Sequence, residues 1–270
     1  MAAGVAHGIR RAEEQWGTVI TIDVRNRVGE QAVDEQVVDA CFAWFRRVDD
    51  LFSTWRPDTE IMRIARGELA PEDASAEVRE VLELCERMRL ESRGAFDIRA
   101  GASPTRPPRP GGAPLDPSGL VKGWAVARAG AMLRDAGATD FFVSAGGDLV
   151  AAGHPDHAPA GWRVGVQHPW DRELVVAVLA ISDAAVATSG RYERGDHIID
   201  PRSGRAAVGL ASVTVVGPDL AIADAYATAA MVLGPVAGMR WLADRAGYES
   251  MGISDDRAVT TTVGFDRYRV

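Results

Sequence analysis

The sequence predicts an α+β fold in which mixed or antiparallel sheets pack against helices. Helical and strand periodicities follow one another without a strict βαβ rhythm, and the second half of the chain is rich in strands. No GxGxxG motif follows the first predicted strand, so a doubly wound dinucleotide fold is disfavoured. The 270 residues, 47% of them apolar, can form one compact domain or two closely packed lobes, with a core that needs no disulfides.

The first part of the chain predicts one strand followed by three helices. Residues 17–25 alternate in polarity, as a strand does, and apolar residues recur at helical spacing from about Asp34 to Leu51. A short helix is expected after Pro57, and a longer one over residues 75–92. Residues 1–15 are expected to form a flexible N-terminal extension.

A loop rich in proline and glycine, residues 101–115, precedes the second part of the chain. Ser118 is expected to cap a helix that runs to about Asp135, and FFVSA (141–145) to form a buried strand before a turn. Four strands are predicted next, with the sequences WRVGVQ, LVVAVLAI, AAVATS and ASVTVV. A helix is then expected after Pro218, with Asp219 in its first turn and its end at Gly234. A further helix over residues 236–245 and two closing strands complete the prediction.

The composition excludes several functions. The formal net charge of −8 argues against a protein that binds nucleic acid or membrane surfaces nonspecifically. No stretch approaches the apolar length of a transmembrane helix, and the N-terminal residues include neither an apolar signal region nor a cysteine for lipid attachment. We therefore expect a cytoplasmic protein without membrane insertion. Cys41 and Cys85 lie in apolar helical patterns and are expected to be buried thiols, with one disulfide as the alternative.

A possible metal site lies in AIADAYATAAMVLG (221–234). Asp224 and Thr228 are four residues apart, so their side chains point to the same side of a helix that is otherwise small or apolar. A buried carboxylate needs a partner, and together with a hydroxyl it supplies half of a hard-cation site. The alternative is that Asp224 only faces the positive end of the helix dipole.

Three further segments could bind a ligand. DPSGLVKGWA (116–125) places Asp116 and Lys122 around a helix start, where phosphates bind, although an ordinary cap with a solvated lysine also fits. GAFD (94–97) puts an aromatic ring and a carboxylate after a helix end, where Asp97 could instead cap a turn. In SAGGDLVAAG (144–153), paired glycines allow either a close approach to a ligand or a hairpin turn.

The segment TSGRYERGDHIIDPRSGR (188–205) contains a candidate base. His197 lies in a polar stretch near Asp200, where an imidazole could accept a proton near neutral pH. A single histidine with a structural role is the alternative.

The order of these segments, together with FSTWRPDTE (52–60), closely resembles the ApbE family from about Gly17 to Gly234. The resemblance implies a single ApbE-like flavin transferase domain over residues 1–270. Members use Mg²⁺, with Mn²⁺ as the alternative metal here, and FAD as substrate, and they transfer FMN to a Ser or Thr hydroxyl of a target flavoprotein while AMP leaves. Some members instead hydrolyse FAD to FMN and AMP. Such a pyrophosphatase, or a noncatalytic FAD-binding protein, is the alternative here.

The resemblance also implies roles for individual residues, although Ser118-Gly119 stands where the family often has Gly-Gly and the element at the Pro-rich loop is usually longer. The implied acceptor is a cytoplasmic flavoprotein with a Ser/Thr-containing flavinylation motif. The implied general base is His197; the implied metal ligands are Asp224, Thr228 and the backbone carbonyl of Gly119; and the implied FAD contacts are Trp16, Trp55, Ala95, Phe96, Asp97, Asp116, Lys122 and Ile198.

Overall fold

The computed structural model describes residues 8–25, 33–100, 115–155, 160–191 and 198–270. The helices are α1 (Glu35–Phe52), α2 (Glu60–Ala65), α3 (Ala76–Glu91), α4 (Ser118–Asp135) and α5 (Leu220–Ala243). The strands are β1 (Gly8–Gln15), β2 (Thr18–Arg25), β3 (Asp140–Ala145), β4 (Asp148–Ala152), β5 (Trp162–His168), β6 (Asp171–Ile181), β7 (Ala184–Gly190), β8 (Ile199–Asp200), β9 (Arg205–Ala206), β10 (Leu210–Gly217), β11 (Glu249–Ser254) and β12 (Val259–Thr261).

An antiparallel sheet organises the described part of the chain and confirms the α+β prediction. Its strand order is β1-β2-β3-β4-β7-β10-β11-β12, and every neighbouring pair is antiparallel. Helices α1, α3, α4 and α5 contribute to the larger apolar core on one face, while the β5–β6 hairpin helps to form a second core. Antiparallel neighbours do not need a helical crossover, which explains the irregular order of helices and strands in the sequence.

The first strand corrects the prediction of a flexible N-terminal extension over residues 1–15. Residues 8–15 form β1, and all eight pair with β2, from Gly8 opposite Arg25 to Gln15 opposite Thr18. β1 lies at the edge of the sheet and is rich in charged side chains, as edge strands often are, so it lacks the apolar alternation of a buried strand. Residues 1–7 lie outside the described residues.

Capping differs in detail from the prediction at α4. Ser118 is the first helical residue, and it is preceded by Pro117 rather than acting as the cap itself. The Asp116 carboxylate takes over this function, since its Oδ1 accepts a hydrogen bond from the Ser118 N–H at 3.2 Å. At α5, Asp219 lies just before the helix as its N-cap and accepts from the Ile222 N–H at 3.1 Å.

Helix α5 corrects the expectation that no segment is apolar enough to cross a membrane. By its length and its mean hydropathy of 1.5 this helix could cross a membrane, but 67% of its most apolar stretch is buried inside the protein. The apolar composition is thus explained by burial in the core. Gly234 has a φ of +82° and Pro235 follows it, so the two predicted helices meet at a kink within α5.

The two cysteines are buried and free, which confirms the predicted thiols and rules out a disulfide between them. Burial raises the pKa of Cys41 to about 11 and also raises the pKa of Cys85. Both thiols are therefore protonated at neutral pH and serve as small apolar side chains of the core.

Candidate active site

A cavity of about 590 Å³ opens where six segments of the chain converge. Its walls come from the β1–β2 turn, the end of α1 with the loop after it, the loop after α3, the start of α4, the end of β7 with the residues at β8, and one side of α5. Segments more than 200 residues apart thus meet at one site, as expected of a ligand-binding cleft.

The cavity brings together all of the predicted site residues that the structure describes. His197, the predicted base, lies outside the described residues, so its role stays a prediction, as do the roles of the other residues. The predicted residues that line the cavity are Trp16, Trp55, Ala95, Phe96, Asp97, Asp116, Gly119, Lys122, Ile198, Asp224 and Thr228.

The predicted metal ligands lie where α4 and α5 approach each other. The Asp224 side chain is nearly fully buried, with 3% of the residue exposed, and its Oδ2 accepts a hydrogen bond from the Gly123 N–H at 3.2 Å. The Thr228 hydroxyl lies 3.3 Å from the Ser189 hydroxyl at the end of β7. A Cβ added to Gly119 would lie 3.1 Å from Thr228 Oγ1, so the backbone of α4 comes very near to this hydroxyl.

Glycine makes this approach of the two helices possible. A Cβ at Gly123 would lie only 2.6 Å from the carbonyl oxygen of Leu220 and 3.0 Å from its carbon. These are backbone atoms that cannot move aside, so α4 packs on the first turn of α5 only because residue 123 has no side chain. The contact places the N–H of Gly123 against the Asp224 carboxylate 101 residues later.

The donor atoms at this point fit a hard divalent cation. A carboxylate (Asp224), a hydroxyl (Thr228) and the nearby backbone of Gly119 offer oxygen ligands, which Mg²⁺ prefers. Among the described residues, no group of three His, Cys, Asp or Glu side chains could hold a metal ion. The described residues thus offer a partial oxygen site for a cation.

Aromatic side chains supply flat apolar surfaces around the cavity. Trp16 lies in the two-residue turn between β1 and β2, with a φ of +57°, and packs edge-to-face on Phe45 with ring centroids 5.4 Å apart. Trp55 is 63% exposed beside the cavity, and the buried Phe96 donates its N–H to Ser92 Oγ at 2.9 Å. Such rings suit a ligand with planar ring systems.

Acidic groups dominate the charges on the described cavity wall. The described lining residues include one cationic side chain, that of Lys122, and four carboxylates, those of Asp49, Asp97, Asp116 and Asp224. Burial raises the pKa of Asp49, and the nearby Arg56 only partly offsets this. The described part of the cavity wall therefore carries more negative than positive side chains.

Sequence reasoning missed several residues of the site. Asp49 precedes the FSTW segment, and Ser189 lies within the segment 188–205 that contains the candidate base, but neither residue carries a pattern of its own. Asp148, the third residue of the GGD turn, lies behind the cavity wall and contacts Lys122. The only signal for these three residues was their position within or next to a motif.

Comparison with known proteins identifies the family. The family model described as the ApbE family matches residues 16–104 and 106–251. The chain belongs to the ApbE family. Among curated relatives, the "FAD:protein FMN transferase" of Rhodobacter capsulatus is 36% identical over 156 residues, which are 55% of this chain and 29% of that protein. The protein of the same name from Klebsiella pneumoniae is 29% identical over 265 residues, covering 77% of this chain and 75% of the relative.

Solved structures of ApbE proteins share the fold. The "Flavin Transferase ApbE from Vibrio cholerae" superposes with a TM-score of 0.83 at 24% identity, covering 97% of this chain and 99% of that one. The ApbE protein of Thermotoga maritima gives a TM-score of 0.82 at 21% identity and covers 98% of this chain and 100% of its own. The predicted family and fold are therefore both confirmed.

Proposed function

We propose that this ApbE-family protein is an FAD:protein FMN transferase, which moves FMN from FAD to a Ser or Thr hydroxyl of a target flavoprotein and releases AMP. The observation that carries the proposal is the convergence of eleven predicted site residues on one cavity, with a buried Asp224 beside Thr228 and Gly119. The names of the curated relatives support the same activity. We further propose that the acceptor is a cytoplasmic flavoprotein with a Ser/Thr-containing motif.

In this proposal the divalent cation is Mg²⁺, or Mn²⁺, held by the Asp224 carboxylate, the Thr228 hydroxyl and the Gly119 carbonyl. When bound, the ion would neutralise charge on the diphosphate of FAD and on the departing phosphate. Asp224 supplies a full negative charge from a buried position, where electrostatic attraction to a cation is stronger than in water. Thr228 is held near Ser189, which limits the orientations of its hydroxyl.

The transfer is a single displacement at phosphorus. The acceptor hydroxyl oxygen forms a bond to the FMN-side phosphorus, and the bond from that phosphorus to the bridging oxygen breaks. The bridging oxygen leaves with AMP, and FMN remains joined to the acceptor as a phosphoester. His197 is proposed to take the hydroxyl proton; Ile198, its neighbour in sequence, lines the cavity. Aromatic faces such as Trp16 and Phe96 would orient the flat rings of FAD.

The experiment that tests the proposal mixes the purified protein with FAD, Mg²⁺ and a peptide carrying the Ser/Thr target motif of the family. AMP release and the peptide mass are followed together. We expect a mass gain of one esterified FMN, and we expect Asp224→Asn to reduce it by more than about 100-fold, since loss of a mere second-shell partner already costs about 10–100-fold in metal affinity or activity. Asp135→Asn, at the exposed end of α4, is the matched control and should behave as wild type.

The other outcomes distinguish the alternatives. AMP release at the same rate with and without a family acceptor, and without any peptide labelling, would assign the protein as an FAD pyrophosphatase with water as the nucleophile. Tight FAD binding without either product would leave a noncatalytic flavin-binding protein. Full activity of Asp224→Asn would contradict the proposed metal site.

A further inference from the structure

A buried ion pair lies behind the cavity wall. The Lys122 ammonium is 2.9 Å from Asp148 Oδ2, a contact that is an ion pair by distance but lacks the alignment of a hydrogen bond. Asp148 is fully buried, whereas 20% of the lysine side chain is exposed. Because a buried carboxylate without compensation is very unfavourable, the fold requires a cation at this position.

Asp148 also fixes a second wall of the cavity. Its Oδ1 accepts a hydrogen bond from the backbone N–H of Thr188 at 3.0 Å. Thr188 lines the cavity, and the next residue, Ser189, lies 3.3 Å from the Thr228 hydroxyl. One carboxylate at the start of β4 therefore connects α4, through Lys122, with the end of β7.

The position of Lys122 matters because the cavity is acidic. Lys122 is the one cationic side chain among the described residues that line it, and four lining carboxylates surround the same space. A lysine is a point charge on a flexible four-carbon stem, so without an anchor its ammonium could turn toward any of these acids. A fixed, buried anion on its other side keeps the ammonium at one place on the wall.

We propose that Asp148 is a positioning residue, which holds the Lys122 ammonium against bound FAD and acts on FAD binding through that lysine. This inference rests on the proposed function. Two opposing effects of Asp148 can be separated by experiment: as an anchor it strengthens binding, whereas as a neutralising charge it would weaken binding of an anionic ligand.

The test is a double-mutant cycle with Asp148→Asn and Lys122→Met. The asparagine retains an oxygen that can accept from Thr188, so the single variant removes the charge and leaves the second contact in place. FAD affinity is measured by the change in flavin fluorescence in the presence of Mg²⁺, and stability is measured by urea unfolding. Asp23→Asn is the matched control, because Asp23 is also a buried carboxylate, paired with Arg25 on strand β2.

We expect Asp148→Asn to weaken FAD binding about tenfold, the scale of one charge-assisted contact. In the Lys122→Met background the same substitution should cause no further weakening. Lys122→Met alone should lower the urea midpoint, because it leaves Asp148 charged and buried, and adding Asp148→Asn should recover part of that loss. Asp23→Asn should leave FAD affinity unchanged.

Several results would overturn the proposal. Unchanged or tighter FAD binding by Asp148→Asn would show that the residue does not anchor Lys122 for the ligand. Equal weakening in both backgrounds would show that it acts independently of the lysine. If the wild-type protein bound no FAD, the proposed function itself would be wrong. In that case the urea midpoints would still test the ion pair: if the shift of the double variant equalled the sum of the two single shifts, Asp148 and Lys122 would not be coupled.

Discussion

Gly119→Ala, which adds a single methyl group, should weaken metal binding while leaving the stability of the protein nearly unchanged. Gly119 is the second residue of α4, and its missing Cβ would lie 3.1 Å from Thr228 Oγ1 and 3.5 Å from Thr228 Cγ2. Only the contact with Oγ1 is tighter than ordinary van der Waals contact, and the stiff χ1 torsion of a β-branched residue resists a rotation that would relieve it. Gly119→Ala should therefore displace the Thr228 hydroxyl by a few tenths of an ångström.

The two effects of this substitution on stability nearly cancel. Alanine is favoured over glycine in a helix by about 1 kcal/mol. The close contact between the new methyl group and the Thr228 hydroxyl should cost about 1 kcal/mol, which is typical of mild overpacking, and so offsets this gain. We expect the free energy of unfolding to change by less than about 1 kcal/mol, whereas metal affinity should fall about 10–100-fold because the hydroxyl is a proposed ligand.

The assay measures metal binding directly as well as activity. Binding of Mn²⁺, followed by electron paramagnetic resonance in the presence of FAD, should weaken in Gly119→Ala, and the Mg²⁺ concentration for half-maximal AMP release should rise in parallel. Adding Thr228→Ser should restore part of the affinity, because serine keeps the hydroxyl and can rotate away from the new methyl group. Wild-type metal affinity in a well-folded Gly119→Ala protein would refute the assignment of this helix contact to the metal site.

Three more outcomes follow from the packing and from the pKa shifts. Gly123→Ala should lower the unfolding temperature strongly, because its Cβ would meet backbone atoms of Leu220, the nearest at 2.6 Å; a shift within error in a thermal unfolding scan would contradict the close helix contact. Burial raises the pKa of Asp49 above its ordinary value of 3.8, so ionisation of this carboxyl group opposes folding as the pH rises above 3.8. Asp49→Asn should therefore stabilise the protein at pH 7 but not below pH 3.8. Because 40% of the side chain is exposed, the increase in the free energy of unfolding should stay below about 0.5 kcal/mol, as measured by urea unfolding at the two pH values. Cys41 and Cys85 should react with a thiol reagent at pH 8 only after unfolding, and rapid labelling of the native protein would show that they are accessible.

Much of the fold was predictable from the sequence wherever the signal is local. The spacing of Asp224 and Thr228 places them on one side of a helix, whatever the helix packs against. The sequence predicted that one helix ends at Gly234 and a second begins at residue 236, and this boundary is the kink of α5, where Gly234 has a positive φ and Pro235 follows. β1 was missed, because an edge strand is held by backbone hydrogen bonds to its neighbour and needs no apolar alternation of its own.

In the candidate site, too, the residues within local motifs were predictable and the contacts between distant segments were not. Lys122 was found because a motif surrounds it, but its ion pair with Asp148 joins residues in different elements and leaves no trace in the local pattern. Asp49 was missed for a similar reason, since its place in the cavity depends on how the end of α1 meets the start of α4. The apolar α5 could not be distinguished by composition from a membrane-spanning helix until its burial was known.

The sequence by itself therefore determined the order of the motifs, the chemistry of their side chains and the helices that carry them, because these depend on neighbours within one or two turns. Only the tertiary structure decided which groups face each other across the cavity. Contacts such as that between Gly123 and Asp224, 101 residues apart, depend on sheet register and on glycines that let two helices touch at their backbones. These are properties of packing between distant segments, which no local periodicity encodes.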